Sequence, residues 1–582
     1  MAGTWHGLTN QPTFNMGTMV LLTDGRVMVQ QEGTNHWHAL TPDINGSYLN
    51  GTWSSLADEA QWRRYYASAV MKDGRVLVCG GEQSGYGADT TNCQIYNPVA
   101  NTWTVIPSPP GWGSVGDSTC VVLPNGKVML GNINNTSCAI YDPALNSWSA
   151  AGSKAIRSNE ETWVLLPDNT VLTVQCFSPF KAEKYVIATN TWKDEGALPV
   201  TIIDSAMSEI GPAMLMYNGK VIYFGAANSG GFGKTAIYTL PATASGTGTW
   251  VAGPNIPHVG ADTMVANDCP GALLPNGKVL FTAAKFQVSN WGQPIYFFEY
   301  DPLANTITQA PTPANNNAQL YWSRLMLLPT GEVMFSPSST NVQLYQPDGA
   351  PTDAWRPTIT SVTAIGGGLN PVNYTLQGTQ LNGLSQANIY GDDCYCSTNY
   401  PIVRLLKQGT GHVYFARSSG FSTMGVATGA SAQSCTFNVA GIPDGTYNLT
   451  VVANGISSHV YIFHKTSVKS IIYDKTHYVD KTYLHDKQLV IENKQLIDVT
   501  KLPVEHLGKQ VAEGDPIIKE NEVTHPEIAE LQNQVADLKN SVDKLHTILS
   551  ADKLPTVSMD LTSSPKDKVP NIQIGNVEAS AN

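Results

Sequence analysis

The sequence predicts an all-β protein whose larger part is a seven-bladed β-propeller, and three observations carry that prediction. Only 14% of the 582 residues are charged while Gly (51) and Pro (35) are plentiful, the profile of short strands joined by tight turns. An apolar run broken by a polar turn recurs seven times: "LLTDGRVMV" at Asp24, "VMKDGRVLV" at Asp73, "VLPNGKVML" at Asn125, "LLPDNTVLT" at Asp168, "LMYNGKVIY" at Asn218, "LLPNGKVLF" at Asn276 and "LLPTGEVMF" at Thr330. Most copies are followed by a Tyr and then a Trp after a small polar turn, as in "IYNPVANTW", "IYDPALNSW", "KYVIATNTW" and "IYTLPATASGTGTW". The sixth copy reads "EYDPLANTI", with Ile in place of Trp.

Asn-Gly and Asp-Gly turns inside apolar runs close β-hairpins. A four-stranded unit repeated about every 43 to 58 residues cannot bury its faces alone, but a ring of seven can. The period matches kelch-type blades over residues 1–355. The once-per-blade Tyr and Trp are expected to pack between blades rather than to touch a ligand. From "RPTITSVTAIGG" onward, short alternating runs such as "PVNYTLQG", "PIVRLLKQG", "SCTFNVAG" and "TYNLTVVANG" are separated by Gly and Pro turns. They predict an Ig-like β-sandwich over residues 356–465.

With the blades, the sandwich and "IPDGTYNLTVVANGISS" in place, residues 10–465 resemble the galactose oxidase and glyoxal oxidase family of copper-radical oxidases. The resemblance implies a seven-bladed kelch propeller capped by a sandwich. It also implies copper held by two tyrosines and two histidines, one tyrosine cross-linked to a cysteine and shielded by a Trp. Imidazole and phenolate suit copper. In "RRYYASAVMKDGR" the cross-linked tyrosine falls on Tyr65, one residue before Tyr66. Tyr321 matches the tyrosine of the family's Tyr-His pair, and His412 in "LLKQGTGHVYF" matches the histidine supplied by the sandwich.

Three matched positions depart. Met16 stands where the cross-linking cysteine belongs, Gln83 where the shielding Trp belongs, and Trp322 where the histidine after Tyr321 belongs. Without that cysteine no thioether cofactor of the family's kind can form. Tyr65, Tyr321 and His412 therefore make at most a residual copper site, and they are otherwise expected to line the channel and to bond within a sandwich loop. No cofactor is expected, and copper is the one such a site would take.

No phosphate-cradling glycine loop, H-E-x-x-H or nucleophile-elbow serine occurs. "NHWH" (Asn35 to His38) reads as a loop offering two imidazoles and an indole. Nine scattered cysteines fit reduced, buried thiols better than a disulfide framework, with "DCYC" (Cys394, Cys396) either loop thiols or a local disulfide. A net charge of −12 argues against nucleic acid or an anionic membrane as partner. Neither a secretory signal nor an apolar run of about 18 residues is visible. Cytoplasmic synthesis, with association to a virion or similar particle, is the expectation.

Beyond Lys465 Trp, Cys and Arg vanish. Five hexads over "DKTHYV DKTYLH DKQLVI ENKQLI DVTKLP" begin with Asp474, Asp480, Asp486, Glu492 and Asp498 and carry Tyr478, Leu484, Val490, Leu496 and Leu502 fifth. An even period puts the latter on one face of a strand, so residues 466–522 read as a β-repeat stalk or a linker. In residues 523–550, Ile528, Leu531, Val535, Leu538, Val542, Leu545 and Leu549 alternate three and four apart. That is an a/d seam of a short coiled-coil helix able to make a dimer or trimer, or of a helix docked on its own chain. Residues 551–582 read as a flexible tail.

The whole describes a non-catalytic binding head of the adhesin or virus/phage fibre kind, recognising a surface glycan or protein and oligomerised or anchored through its C-terminal stalk. A divergent copper-dependent alcohol or aldehyde oxidase is one alternative. A structural decoration protein of a larger assembly is the other.

Overall fold

Each polar turn found in the sequence is the tip of a hairpin between the first two strands of a blade. In blade 1, Gly25 N donates to Leu22 O and Leu22 N to Arg26 O, a type I turn closed by one left-handed residue. Glycine takes that conformation without steric cost, and Gly25, Gly74, Gly126, Gly219, Gly277 and Gly331 all have φ between 79° and 89°. Blade 4 has no glycine there, and Asn169 supplies φ 59° instead. The Asp or Asn before five of these glycines is equally specified, with Thr330 standing before Gly331. Asp24, Asp73, Asn125, Asn218 and Asn276 each accept, on the side-chain oxygen, the backbone N–H two residues on.

The computed structural model describes residues 3–226, 231–366, 370–387 and 397–466. The chain divides into two units, 1–470 and 471–582, and all described residues lie in the first. The predicted hexad stalk, the coiled-coil seam from Ile528 to Leu549, the tail and the Cys394/Cys396 pair lie outside the described residues.

Seven antiparallel sheets, six of four strands and one of five, succeed one another, the fold class expected for residues 1–355. Blade 2 is typical, with Ala67–Val70, Val76–Cys79, Cys93–Asn97 and Thr102–Ile106 running from the axis outward. Inner strands such as Met16–Leu21 are buried along their whole length, which is why they read as unbroken apolar runs. Blade 6 carries a split inner edge, Met264–Val265 and Gly271–Leu273. Blade 7 takes Arg324–Leu327, Val333–Ser336 and Gln343–Gln346 from the end of the ring, and its outer strand is Thr4–Gly7 from the beginning. Trp5 pairs with Tyr345 in that closing strand, its ring 4.7 Å from Phe297 and 4.9 Å from Tyr345.

The Tyr–Trp repeat has a more exact role than packing between blades. Tyr96↔Trp103, Tyr141↔Trp148, Tyr185↔Trp192 and Tyr238↔Trp250 are directly opposed across the two outer strands of one blade, with ring centroids 5.0 to 5.4 Å apart. In blade 6 the pair is Tyr300↔Ile307. The hydroxyls of Tyr96, Tyr141, Tyr185 and Tyr300 donate to the Asn five residues on, in the hairpin turn. Each of those asparagines has φ between 49° and 56°. The indole N–H of Trp53, Trp103, Trp148 and Trp250 then donates to a carbonyl of the preceding segment (Asn10, Ala57, Pro107 and Glu195). One motif thus pins a turn, pairs two strands and, in blades 1, 2, 3 and 5, ties the blade backward.

Blade 4 also buries an ion triad. Lys154 Nζ lies 2.9 Å from Glu161 and 2.7 Å from Glu183, with all three side chains withdrawn from solvent.

After the propeller, eight antiparallel strands from Thr358–Ala364 to Tyr461–Lys465 form one continuous hydrogen-bonded sheet. The sheet rests on the turn face of the ring. Ser418 N donates to Thr23 O, Phe421 N to Lys72 O and Met424 N to Pro124 O, all carbonyls beside the first three polar turns. Between Asn373–Thr379 and Ile402–Lys407 the chain leaves the sheet and reaches the inner strands. Leu273 N of blade 6 donates to Ala387 O, and the Tyr400 hydroxyl to Leu21 O of blade 1. Among the described residues helix is confined to two 3₁₀ turns, Leu320–Trp322 and Asp353–Trp355. None is long and apolar enough to cross a membrane.

The cysteines correct one expectation. Cys79 and Cys93 are register partners on adjacent strands of blade 2, their Cα atoms 4.0 Å apart, and they are joined by a disulfide. Their spacing of 14 residues spans a loop, so only the register reveals the pair. The other five described cysteines are free and buried, as expected. Burial pushes the thiols of Cys120, Cys138 and Cys435 up to about 12. Iodoacetamide at about pH 8 is therefore expected to leave these three unmodified in native protein and to alkylate them after denaturation. Peptide mass mapping reads the difference, and native labelling of any of the three refutes it.

Candidate functional site

An inner strand runs from one face of the ring to the other, so its two ends define the two faces. Asp73 ends the inner hairpin of blade 2 on the face covered by the eight-stranded sheet. Tyr65 precedes Ala67–Val70 and sits at the opposite, open end. At about 3.3 Å per residue the two lie on the order of 20 Å apart. Tyr321 precedes Arg324–Leu327 in the same way, so both tyrosines meet at the open mouth. Their ring centroids are 6.3 Å apart, edge to face.

Tyr65 is held in a conformation that bulky residues avoid, φ 49°. Such backbone costs about 1–3 kcal/mol and persists only where the surroundings over-determine it. The surroundings here are plain. Arg63, fully buried, is hydrogen-bonded to Glu59 (2.7 Å), Gly80 O (2.6 Å), Asn92 O (3.0 Å) and Asn92 Oδ1 (2.7 Å). Arg63–Arg64 pairs with Gln83–Ser84 in a two-stranded ribbon, and Glu82 N donates to both Arg64 O and Tyr65 O. Arg64 itself is salt-bridged to Glu32 at 2.7 Å. The one-residue ambiguity between the adjacent tyrosines is thereby resolved. Tyr66 points into the core and donates to Gln30 Oε1, its phenol pushed well above 10 by burial, while Tyr65 stays half-buried at the mouth.

Tyr321 lies in the 3₁₀ turn Leu320–Trp322, whose backbone is gripped by the Arg324 guanidinium through Tyr321 O and Ser323 O. Trp291 lies 4.7 Å and Trp322 5.5 Å from the Tyr321 ring. Trp322 is 43% exposed. Trp291 was not legible as a site residue, although a signal existed. Periodic Trp residues pin blades, whereas Trp291 and Trp322 fall outside the Tyr–Trp spacing.

His412 is not brought to this mouth. It occupies the turn between Ile402–Lys407 and Val413–Ser419, and the next residue, Val413, donates its N–H to Ile44 O in blade 1. Ile44 lies in the loop leaving the third strand, on the sheet-covered face. "NHWH" is a strand start rather than a loop. Trp37 is fully buried, His38 stacks on Phe14 at 3.8 Å with its imidazole pKa lowered by burial, and His36 pairs with Asp58 at 3.0 Å. The imidazoles are committed to local packing.

The donor set therefore does not fit copper of the family's kind. Among the described residues no group of three or more His, Cys, Asp or Glu is placed to hold a metal ion. The mouth offers two phenols with no described imidazole beside them, and Met16, buried at the start of its strand, cannot supply a thioether link to Tyr65. What the mouth does offer is a shallow aromatic floor with a charged and amide rim from Arg64 and Gln83.

Ring, turns and Tyr–Asn–Trp pins define a seven-bladed β-propeller of the kelch type. Comparison with known proteins agrees: the Kelch motif matches residues 63–110, which is blade 2 with its flanks. A galactose oxidase of Gibberella zeae is 40% identical over 57 residues, 10% of this chain, so that the match spans only 8% of that protein's length. Among solved structures, a fungal alcohol oxidase of the AA5 family in complex with copper covers 80% of this chain and 99% of its own, at 15% identity and TM-score 0.46. A streptogramin B lyase covers 60% of this chain and 99% of its own, at 13% identity and TM-score 0.40.

Proposed function

We propose that this protein is a binding head whose open propeller mouth receives a surface glycan. The observation that carries the reading is the cluster of Tyr65, Tyr321, Trp291 and Trp322, with Trp322 exposed on a soluble face. Exposed aromatic clusters rimmed by polar groups are binding surfaces more often than accidents. Flat rings suit the C–H faces of sugars, and Arg64 and Gln83 suit their hydroxyls. The eight-stranded sheet is read as the Ig-like sandwich that buttresses the opposite face. Residues 466–522 are read as the stalk and 523–550 as the coiled-coil helix that multiplies or anchors heads, as in an adhesin or a virus or phage fibre, where several weak sites act together.

A glycan array with the intact chain tests this. Trp322→Ala is expected to weaken any glycan bound by about tenfold or more while leaving the melting temperature unchanged, because its side chain is solvent-exposed. Binding that survives both Trp322→Ala and Tyr321→Ala refutes the site. Deleting residues after 465 is expected to lower avidity but not monovalent affinity. A decoration protein would instead lose attachment to its assembly altogether.

The paired phenols favour a second reading, a divergent copper-dependent alcohol or aldehyde oxidase. Stoichiometric copper with alcohol-dependent peroxide release in wild type, both abolished in Tyr65→Phe, would establish it over the binding head.

A further inference from the structure

Where the eight-stranded sheet meets the turn face of the ring, a cleft of about 330 Å³ opens between blades 1 and 7. Ser47 comes from blade 1, Thr330 and Glu332 from the polar turn of blade 7, and Arg404, Phe415 and Ser457 from the sheet. Arg404 is the one arginine in this wall. Arg26, Arg63, Arg64, Arg75 and Arg356 each have a carboxylate within 2.8 Å. Arg404 lies on the central strand Ile402–Lys407, between Phe415 and Thr450, and pairs with no carboxylate among the described residues. Burial lowers the pKa of its guanidinium. Glu332 shares the cleft, but its carboxylate accepts from the Thr330 hydroxyl at 2.8 Å rather than from Arg404.

A partly desolvated cation without a counter-ion is costly, and proteins keep one where a ligand supplies the missing charge. The cleft has the volume of a small-molecule site and lies at a junction between two structural layers, where such sites concentrate. We propose that it binds a small sugar acid. The carboxylate would take the parallel N–H donors of Arg404, which match its two oxygens. The hydroxyls of Ser47, Thr330 and Ser457 match a polyol, and the Phe415 ring gives an apolar side. Glu332 at the same cleft opposes dianions, so a single carboxylate is selected over phosphate or sulfate. The cleft lies on the face opposite the aromatic mouth, and its occupation does not rest on the mouth binding anything.

The test is titration calorimetry on the full chain with glucuronate and galacturonate, against glucose, galactose and inorganic phosphate as controls. At least one uronate is expected to bind saturably, and its neutral counterpart and phosphate to bind at least about tenfold more weakly. Arg404→Gln is expected to weaken the uronate by about tenfold or more and Arg404→Lys by less, since a charge without the fork remains. The melting temperature of Arg404→Gln is expected at or above wild type, because an uncompensated charge leaves a partly buried place. Absence of saturable heat with either uronate at about ten millimolar, or equal uronate binding by Arg404→Gln, overturns the proposal. Phosphate binding as tightly as the uronates overturns the sugar-acid assignment and leaves a general anion site.

Discussion

Lys154→Met is expected to destabilise the propeller by about 3–5 kcal/mol, the cost of leaving buried charges unpaired. Its ammonium is the counter-ion of Glu161 and Glu183 and also lies 4.6 Å from the Trp192 ring. Glu161 further accepts from Trp163 Nε1 and Thr173 Oγ1, both at 3.1 Å, so its carboxylate is fixed in place. The midpoint of urea unfolding reads the loss. A triple variant, Lys154→Met with Glu161→Gln and Glu183→Gln, should recover much of it, because no charge is then stranded. If the single variant unfolds at the wild-type midpoint, the triad contributes nothing.

The pH dependence has a definite sign. Burial raises the Glu161 carboxyl above 4.5, and Lys154 only partly offsets it. The native state then holds that proton more tightly than the unfolded chain does, so this group's contribution to stability falls as pH rises through the raised value. Removing Lys154 removes the offset. The deficit of Lys154→Met should thus be smallest near pH 5 and grow toward pH 8. Lys154 behaves in the complementary way: burial works to lower its pKa, but attraction to the two glutamates outweighs it and holds it raised. Its stabilisation is complete below the ordinary amine value and is lost as pH climbs through the raised one.

Removing residues 1–8 is expected to have the larger effect, since it opens the ring. Blade 7 would keep three strands, exposing the edge of Gln343–Gln346 and the faces of Phe297, Phe335 and Tyr345 that Trp5 covers. An unpaired hydrophobic edge aggregates. The truncated chain should therefore be recovered mainly as aggregate. Trp5→Ala, which keeps the backbone pairing, should cost about 3 kcal/mol and remain soluble. A soluble truncated chain with wild-type melting would show that closure does not depend on this strand.

How much of this was legible follows from how local each feature is. Five of the seven turns were readable because Asp or Asn followed by Gly satisfies a local geometry within five residues, and the Asp-Asn turn of blade 4 and the Thr-Gly turn of blade 7 by their place in the same apolar runs. The Tyr–Trp repeat was readable for the same reason, though its division of labour among turn, strand pair and preceding blade needed the register. The closing strand was not readable, because "TWHG" carries a Trp whose Tyr partner lies 340 residues later. Counting back from their turns puts Tyr65 and Tyr321 just before their inner strands, where the two rings meet. His412 lies in a loop of the eight-stranded sheet, bonded to Lys407 and Thr410, the place expected for it if it holds no metal. The Lys154 triad and Arg404 have no sequence signature at all. A lysine 29 residues from one of its carboxylates, and an arginine defined by lacking any, exist only in three dimensions.

The strand that closes the ring also sets a schedule. Thr4 leaves the ribosome well before its partner Gln346, which follows 342 residues later. At about 5–20 residues per second the first strand waits on the order of tens of seconds with no partner to receive it. During synthesis each finished blade can lean only on the one before it, and the partner of the first strand arrives last. A chain stalled within the sixth or seventh blade would hold an almost complete but open ring. Such a nascent chain is the state in which two copies emerging side by side would exchange first strands.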